Sequence, residues 1–312
     1  MRRTDDSRQD VARQLTGISH ILQSVAEQAS HDIKAEIEQA TRILENISSR
    51  CPRRLPLFES DCDIAVSSSS AVVERHVSFE ASHVVTRRFP IDDFTNVDVD
   101  CAFIFEISAG DAFSVAVDAY EGLLEYISVA KSGDTLKLSL EPVRFGARPV
   151  LEARITMPTL KRLRQGAATK GMVFGFRTDD PLSLYLSGAG ALNLDVEVGD
   201  AKVEVSGASK LTGDVKAPKI DLVLSGASTA QMAGTCSSLV LSAWGAADAD
   251  VSELQTDECT VYLKGASQAI VRAARRLDID LSGASSLKFF GAPHVTAMNL
   301  SGASILTRVD SD

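Results

Sequence analysis

Apolar and polar residues alternate with a period of two along most of the chain after about Val84. Between Phe94 and Leu140 the alternating runs are separated by Gly-Asp turns at 108–111 and 132–134. Such alternation is typical of strands that bury one face, and turns this short are typical of hairpins. We therefore predict a β-rich cap over residues 85–160.

From residue 161 onward, a tetrad with the consensus Ser-Gly-Ala-Ser recurs about every 19 residues. Its successive glycines are separated by 19, 19, 19, 20, 18 and 19 residues. These glycines are Gly188, Gly207, Gly226, Gly245, Gly265, Gly283 and Gly302. Alternating apolar residues on both sides of each glycine predict short strands that stack coil upon coil. The predicted fold is all-β, a single-stranded β-solenoid (β-helix) of about seven to eight coils over residues 161–312.

The recurring glycine is predicted to form a corner of each coil. Glycine permits backbone bends that a Cβ atom forbids, so the seven glycines are expected to lie along one edge of the solenoid. The alanine after each glycine, such as Ala227, is expected to face the interior where the coil is narrow. A degenerate earlier copy of the tetrad is expected at Gln165, Gly166, Ala167 and Ala168.

Residues 1–56 carry a different pattern, with apolar or small side chains at alternating spacings of three and four. This spacing predicts a long amphipathic, coiled-coil-like helix over residues 7–48, ended by Pro52 and Pro56. A lone helix cannot bury its apolar stripe, so a homo-oligomer formed through residues 7–48 is expected. Packing against the body of the protein and binding to a membrane surface are the alternatives. Residues 57–84 are predicted to be a linker.

The charge balance and the N-terminus narrow the function. Acidic residues outnumber basic ones by 42 to 32, which gives a formal net charge of −10. An acidic chain without a basic patch repels phosphate backbones, so nucleic-acid binding is not expected. No apolar run is long enough to predict a transmembrane segment. The N-terminus lacks the apolar stretch of a secretory signal, and the five cysteines form no Cys-X-X-Cys pair, so the sequence as read predicts a cytoplasmic protein.

Several motifs resemble one known family. They are Arg88-Phe89-Pro90-Ile91-Asp92-Asp93-Phe94, the turn at Gly110-Asp111, the Leu-Lys-Leu strand near Leu138 and the serial Leu-Ser-Gly-Ala-Ser coils. Together they are similar to the putative auto-transporter adhesin head GIN domain family over residues 85–309. The resemblance implies a β-helical head, an adhesive role at bacterial surfaces and no established enzyme chemistry. A cell-surface location therefore competes with the cytoplasmic one.

The sequence contains no recognised catalytic motif, whereas one irregularity of the repeat indicates a binding surface. The sequence has no HExxH, P-loop or GxSxG pattern, so we expect no enzyme activity, no cofactor and no metal. In two consecutive coils Trp244 and Lys264 replace the serine before the glycine, and Tyr262 lies close by. An exposed aromatic residue beside a cation is typical of a contact surface. These three residues are the candidate contact surface for an unknown protein or carbohydrate ligand; drift of the repeat, with Trp244 covering a dent, is the alternative.

The sequence thus predicts a non-enzymatic, adhesion-like binding head that is multimerised by its N-terminal helix. One alternative is a cytoplasmic structural scaffold that assembles end to end through exposed terminal strands. A second alternative is an enzyme that acts on polysaccharides at the outer wall of the solenoid.

Overall fold

The computed structural model describes residues 75–77, 83–141, 143–145 and 151–309. Within these ranges the chain is all-β apart from one short 3₁₀ helix at Glu121–Leu123. The strands are β1 (Arg75–Val77), β2 (Val84–Phe89), β3 (Asn96–Val99), β4 (Ile104–Ala109), β5 (Ser114–Tyr120), β6 (Ile127–Ser132), β7 (Thr135–Leu140), β8 (Val143–Phe145), β9 (Leu151–Met157), β10 (Arg162–Gln165), β11 (Lys170–Arg177), β12 (Leu182–Leu186), β13 (Ala191–Glu197), β14 (Ala201–Val205), β15 (Lys210–Gly226), β16 (Thr229–Gly245), β17 (Asp248–Gly265), β18 (Gln268–Arg272), β19 (Arg276–Leu281), β20 (Ser286–Phe290), β21 (His294–Leu300) and β22 (Ile305–Val309).

Most strands pair in parallel with the strands one coil earlier and one coil later, which makes a β-solenoid of about eight turns. Two parallel walls run along it. Wall A contains, in order, β7, β3, β10, β12, β14, the C-terminal parts of β15, β16 and β17, then β19 and β21. Wall B contains β9, β4, β11, β13, the N-terminal parts of β15, β16 and β17, then β18, β20 and β22. The predicted solenoid and its period of about 19 residues are confirmed.

The solenoid interior is filled by columns of apolar side chains that follow the alternation in the sequence. On wall A the inward residues of five successive coils are each at most 1% exposed: Leu184, Val203, Leu222, Leu241 and Val261. One coil of two short strands has no interior of its own, so it is stabilised by the coils on either side. The apolar columns therefore fix the register in which the coils stack.

The backbone at the corners corrects one prediction. Gly226 has a φ of 76°, and the left-handed turn leaves the following alanine on the outside. Ala227 is exposed, whereas Ser228 is fully buried. The Ser228 hydroxyl donates a hydrogen bond to the Val205 carbonyl oxygen at 3.2 Å, so this buried polar group is satisfied. The predicted inward position of the alanine is wrong, because the fourth residue of the tetrad faces inward instead.

The first, degenerate corner lies one residue later than predicted. Gln165 is fully buried, and Ala167 adopts the left-handed backbone with a φ of 52°. The Ala189 N–H donates to the Ala167 carbonyl oxygen at 2.9 Å. Ala167 therefore holds the place that Gly188 holds in the next coil, and the first corner begins at Gly166. The prediction placed the corner at Gly166 because the residue there is a glycine. The left-handed backbone defines the corner, and here an alanine adopts it.

Antiparallel strands close the N-terminal end of the solenoid. β5 pairs antiparallel with β2 and with β9, and β6 pairs antiparallel with β7. Phe94, Phe103 and Leu123 are fully buried in this cap. Their large side chains fill the end of the interior, so solvent does not reach the core there.

The predicted helix of residues 7–48, and nearly all of the predicted linker at 57–84, lie outside the described residues. The division of the chain into 1–56, 57–84 and 85–312 therefore stays a prediction. In the part of the chain that the structure describes, no helix is both long enough and apolar enough to cross a membrane.

Candidate functional site

The three residues of the candidate contact surface lie on the outside of wall A. Trp244 pairs across the strands with Ser225 on one side and Lys264 on the other, and Tyr262 pairs with Ser242. The Trp244 and Tyr262 side chains are 46% and 43% exposed. Paired strands lie about 4.8 Å apart, so the structure brings these aromatic and cationic side chains onto one continuous surface.

Trp244 also borders a groove of about 440 Å³ on the outside of wall A. The groove extends from Arg164 past Tyr185 to Trp244, across four strand spacings or about 19 Å. Ser187, Ser206 and Ser225 line it, because the serine before each tetrad glycine points outward. The repeat therefore gives the groove a row of hydroxyl groups, and the change from serine to tryptophan ends that row.

Tyr185 lies in the groove between two cations. The Arg164 guanidinium carbon is 6.0 Å from the centre of the Tyr185 ring, and the Lys202 amine is 5.9 Å from it. The Lys202 Nζ is also 2.8 Å from the Glu204 Oε1. The hydrogen bond to Glu204, together with its negative charge, raises the pKa of Lys202. Lys202 therefore pairs with Glu204, and Arg164 is the second cation at that end of the groove.

A second cleft of about 350 Å³ adjoins the first and shares Arg164 with it. Lys137 and Arg162 also line this cleft, and Asp98 is its one acidic residue. An Arg162 guanidinium nitrogen donates a hydrogen bond to the Thr135 hydroxyl at 3.2 Å, which orients the side chain. The two clefts therefore give an acidic protein a local surface of basic side chains.

Sequence reasoning missed this basic surface, and the expectation that no basic patch exists was incomplete. Lys137 lies on β7, whereas Arg162 and Arg164 lie on β10, and β3 pairs with both strands. The only signal in the sequence was that all three residues occupy outward positions of the alternation. That signal becomes useful only when the pairing of β7, β3 and β10 is known.

The structure places the seven tetrad glycines along one edge of the solenoid. The Ala227 N–H donates to the Gly207 carbonyl oxygen at 2.8 Å, and the Ala246 N–H donates to the Gly226 carbonyl oxygen at 2.8 Å. The same bond recurs at Gly245, Gly265 and Gly283. The glycines thus connect consecutive coils through backbone hydrogen bonds and bring no side chain to the grooves.

A third groove, of about 1000 Å³, runs along the edge where wall B leads into the next coil of wall A. Its lining includes Cys236 and Thr256, which are buried and whose Sγ and Oγ1 atoms lie 3.6 Å apart. Burial raises the pKa of the Cys236 thiol, so the reactive thiolate is disfavoured there. Among the described residues, no group of three or more His, Cys, Asp and Glu side chains could hold a metal ion. Neither observation supports a catalytic centre in this groove.

Residues 93–293 match the family model described as the putative auto-transporter adhesin, head GIN domain. The chain belongs to this family. The resemblance that the sequence motifs indicated is therefore confirmed. A search of functionally curated proteins finds no match to the chain.

Solved structures of bacterial proteins have the same fold as this GIN-domain chain. A putative adhesin from Parabacteroides merdae has a TM-score of 0.70 at 16% identity, covering 75% of this chain and 99% of its own. A putative lipid binding protein from Parabacteroides distasonis also has a TM-score of 0.70 at 16% identity, covering 75% and 100%. A putative adhesin from Bacteroides fragilis has a TM-score of 0.57 at 17% identity, covering 75% and 100%. At these identities the similarity establishes the fold alone.

Proposed function

We propose that this GIN-domain protein is a non-enzymatic, adhesion-like binding head whose ligand lies along the outer grooves of wall A. The observation that carries the proposal is the exposed Trp244 at the end of a serine-lined groove with Arg164 at its other end. Binding sites commonly combine aromatic side chains with a few polar groups that fix orientation. Family membership supports an adhesive role.

The grooves favour a carbohydrate as the ligand. An aromatic ring offers an apolar face to a sugar ring, and arginine donates hydrogen bonds to sugar hydroxyl groups. The Ser187 and Ser206 hydroxyls donate to backbone carbonyl oxygens and can accept hydrogen bonds from the sugar. The groove is open and follows the solenoid axis for about 19 Å, which suits a linear polymer better than a compact molecule. The basic side chains of Lys137, Arg162 and Arg164 favour a polymer that carries carboxylate groups.

Binding of polygalacturonate, which is acidic, and of dextran, which is neutral, to the full-length protein tests this proposal by calorimetry. We expect Trp244→Ala to weaken polygalacturonate binding by roughly tenfold, the scale of one aromatic contact. Met172→Ala is the matched control, because Met172 is 47% exposed on wall B. Arg164→Gln is expected to weaken binding of polygalacturonate more than that of dextran and to reduce its dependence on salt.

Two outcomes contradict the proposal. The first is that the full-length protein binds neither polysaccharide. The second is that Trp244→Ala and Met172→Ala have the same effect on binding, which supports drift of the repeat as the origin of Trp244. A melting temperature unchanged by either substitution confirms that the comparison concerns binding and not folding.

We further propose that the N-terminal helix multimerises the heads, so that several weak contacts act together. Linked sites raise the apparent affinity because the second binding event becomes intramolecular. The heptad spacing predicts that Leu15→Asp with Leu22→Asp lowers the mass of the full-length protein in light scattering. Thr16→Asp with Ser24→Asp is the matched control, because it adds the same charge on the opposite helix face. Equal masses for the two double variants contradict the multimerisation.

The cytoplasmic scaffold remains a second candidate because the C-terminal end of the solenoid exposes Met298 and Leu300. Cell fractionation with surface protease treatment separates the two functions. Protein that is cleaved on intact cells supports the binding head, whereas strictly cytosolic protein supports the scaffold.

A further inference from the structure

The two ends of the solenoid differ in how far they cover the apolar interior. The antiparallel cap covers the N-terminal end, whereas the last coil leaves its inward apolar side chains exposed. The side chains Val295, Met298 and Leu300 are 37%, 55% and 46% exposed. Their partners one coil earlier, Leu277, Ile279 and Leu281, are at most 2% exposed. Val295, Met298 and Leu300 therefore keep the inward positions of the alternation, but no described strand packs on their far side.

The last coil also has free strand edges. Within the described residues, β21 pairs only with β19 and β22 pairs only with β20. Each terminal strand therefore has one side without a strand partner, and such edges attract another strand. Ile305 adds an apolar side chain, 59% exposed, where the preceding coil has Ser286. This end of the solenoid combines unpaired backbone groups with apolar side chains.

We propose that the last coil, residues 294–309, pairs with the last coil of a second copy of this protein. A two-fold axis perpendicular to the solenoid axis makes the two β21 strands antiparallel neighbours and brings the exposed Met298 and Leu300 side chains of both copies together. A strand partner satisfies the free backbone edge of the coil, which a covering helix cannot do.

The charges of this coil are compatible with self-pairing. Among residues 294–309 the titratable side chains are His294 and Arg308, and no acidic residue is present. β21 thus has an uncharged stretch from Val295 to Leu300. Arg308 takes the inward position that Phe289 takes one coil earlier, and an inward charge disfavours pairing along β22. The contact is therefore centred on β21.

The interface is small and closed. The last coil offers 16 residues per copy, below the about 20–30 residues per partner of a standard stable interface. We therefore expect a reversible, concentration-dependent pair. Because the antiparallel cap covers the core at the other end, this contact alone joins two heads, and a longer assembly would need a second contact elsewhere on the chain. This inference does not depend on what wall A binds.

Sedimentation equilibrium on the full-length protein tests the pairing. All variants carry Leu15→Asp and Leu22→Asp, which remove the predicted helix contact. Met298→Lys with Leu300→Lys is then expected to raise the dissociation constant of the pair by roughly tenfold or more, because the charges would be buried against their copies. Ala297→Lys with Asn299→Lys is the matched control, since both residues alternate with the inward ones on β21.

Hydrogen exchange of residues 294–309 supplies a second measurement that does not require a variant to fold. Pairing predicts slower amide exchange in this coil at high protein concentration than at low concentration. The proposal is overturned if the protein stays monomeric at all concentrations, or if the two lysine double variants pair equally well. Protection that does not change with concentration also overturns it, because a segment of the same chain then covers the end.

Discussion

Replacing Gly226 by alanine tests the physical basis of the solenoid most directly. Gly226 has a φ of 76°, and a Cβ atom built there would lie 2.7 Å from the Gly207 carbonyl oxygen of the preceding coil. That oxygen accepts the hydrogen bond from the Ala227 N–H at 2.8 Å. The new methyl group therefore has to displace the same carbonyl that joins two coils.

The expected loss of stability has two sources. A left-handed backbone costs an alanine about 1–2 kcal/mol relative to glycine. Weakening one hydrogen bond between coils costs about 0.5–1.5 kcal/mol more. The sum, about 1.5–3.5 kcal/mol before any strain from the contact, corresponds to a fall in melting temperature of roughly 3–14 °C in a domain of this size.

Gly133→Ala is the matched control. Gly133 also has a positive φ, of 58°, but a Cβ atom there would meet nothing within 4 Å. The control should therefore show only the backbone cost, about 1–2 kcal/mol. Urea unfolding followed by circular dichroism measures both variants. If Gly226→Ala is no more destabilising than Gly133→Ala, the close stacking of corners does not hold the coils together and the reasoning is refuted.

Two further predictions follow from burial. Ala227→Leu should change the free energy of unfolding by less than about 0.5 kcal/mol because the alanine is exposed. Ser228→Leu should lower that free energy by about 1–3 kcal/mol because it overpacks the interior. Urea unfolding measures both variants, and a larger loss for Ala227→Leu would show that the alanine faces inward. Burial raises the pKa of the Cys236 and Cys259 thiols, so both should resist a thiol-specific reagent at pH 8 until the protein is unfolded. Peptide mapping by mass spectrometry locates the modified cysteines, and rapid labelling of either one in the native protein would show that the interior is open.

The sequence predicted the coils well because their determinants are local. Alternating residues such as Leu222 and Leu224 fix which strand face is buried, and the glycine spacing fixes the length of a coil. The prediction went wrong at the corner itself. Ala227 and Ser228 are both small, so the sequence could not tell which of them faces inward; the backbone at Gly226 makes that choice.

The candidate site was predictable only in part. Trp244 and Lys264 stood out because they break a repeat at equivalent positions, and repeat positions become neighbours when coils stack. Lys137 and Arg162 interrupt no repeat, so their outward position in the alternation was the only signal in the sequence. They line one cleft because β3 pairs with both β7 and β10, and the antiparallel cap that creates this order departs from the regular period.

The sequence by itself determined that this chain coils, with a period of about 19 residues and an apolar interior. Periodicity carries that information because each coil repeats the same local choices of buried, exposed and bent positions. Only the tertiary structure decided which side chains share an outer groove, which residue fills the corner, and that one end of the core is covered while the other is exposed. These features depend on register between strands of different coils and on what ends the stack, and neither is a property of any single segment.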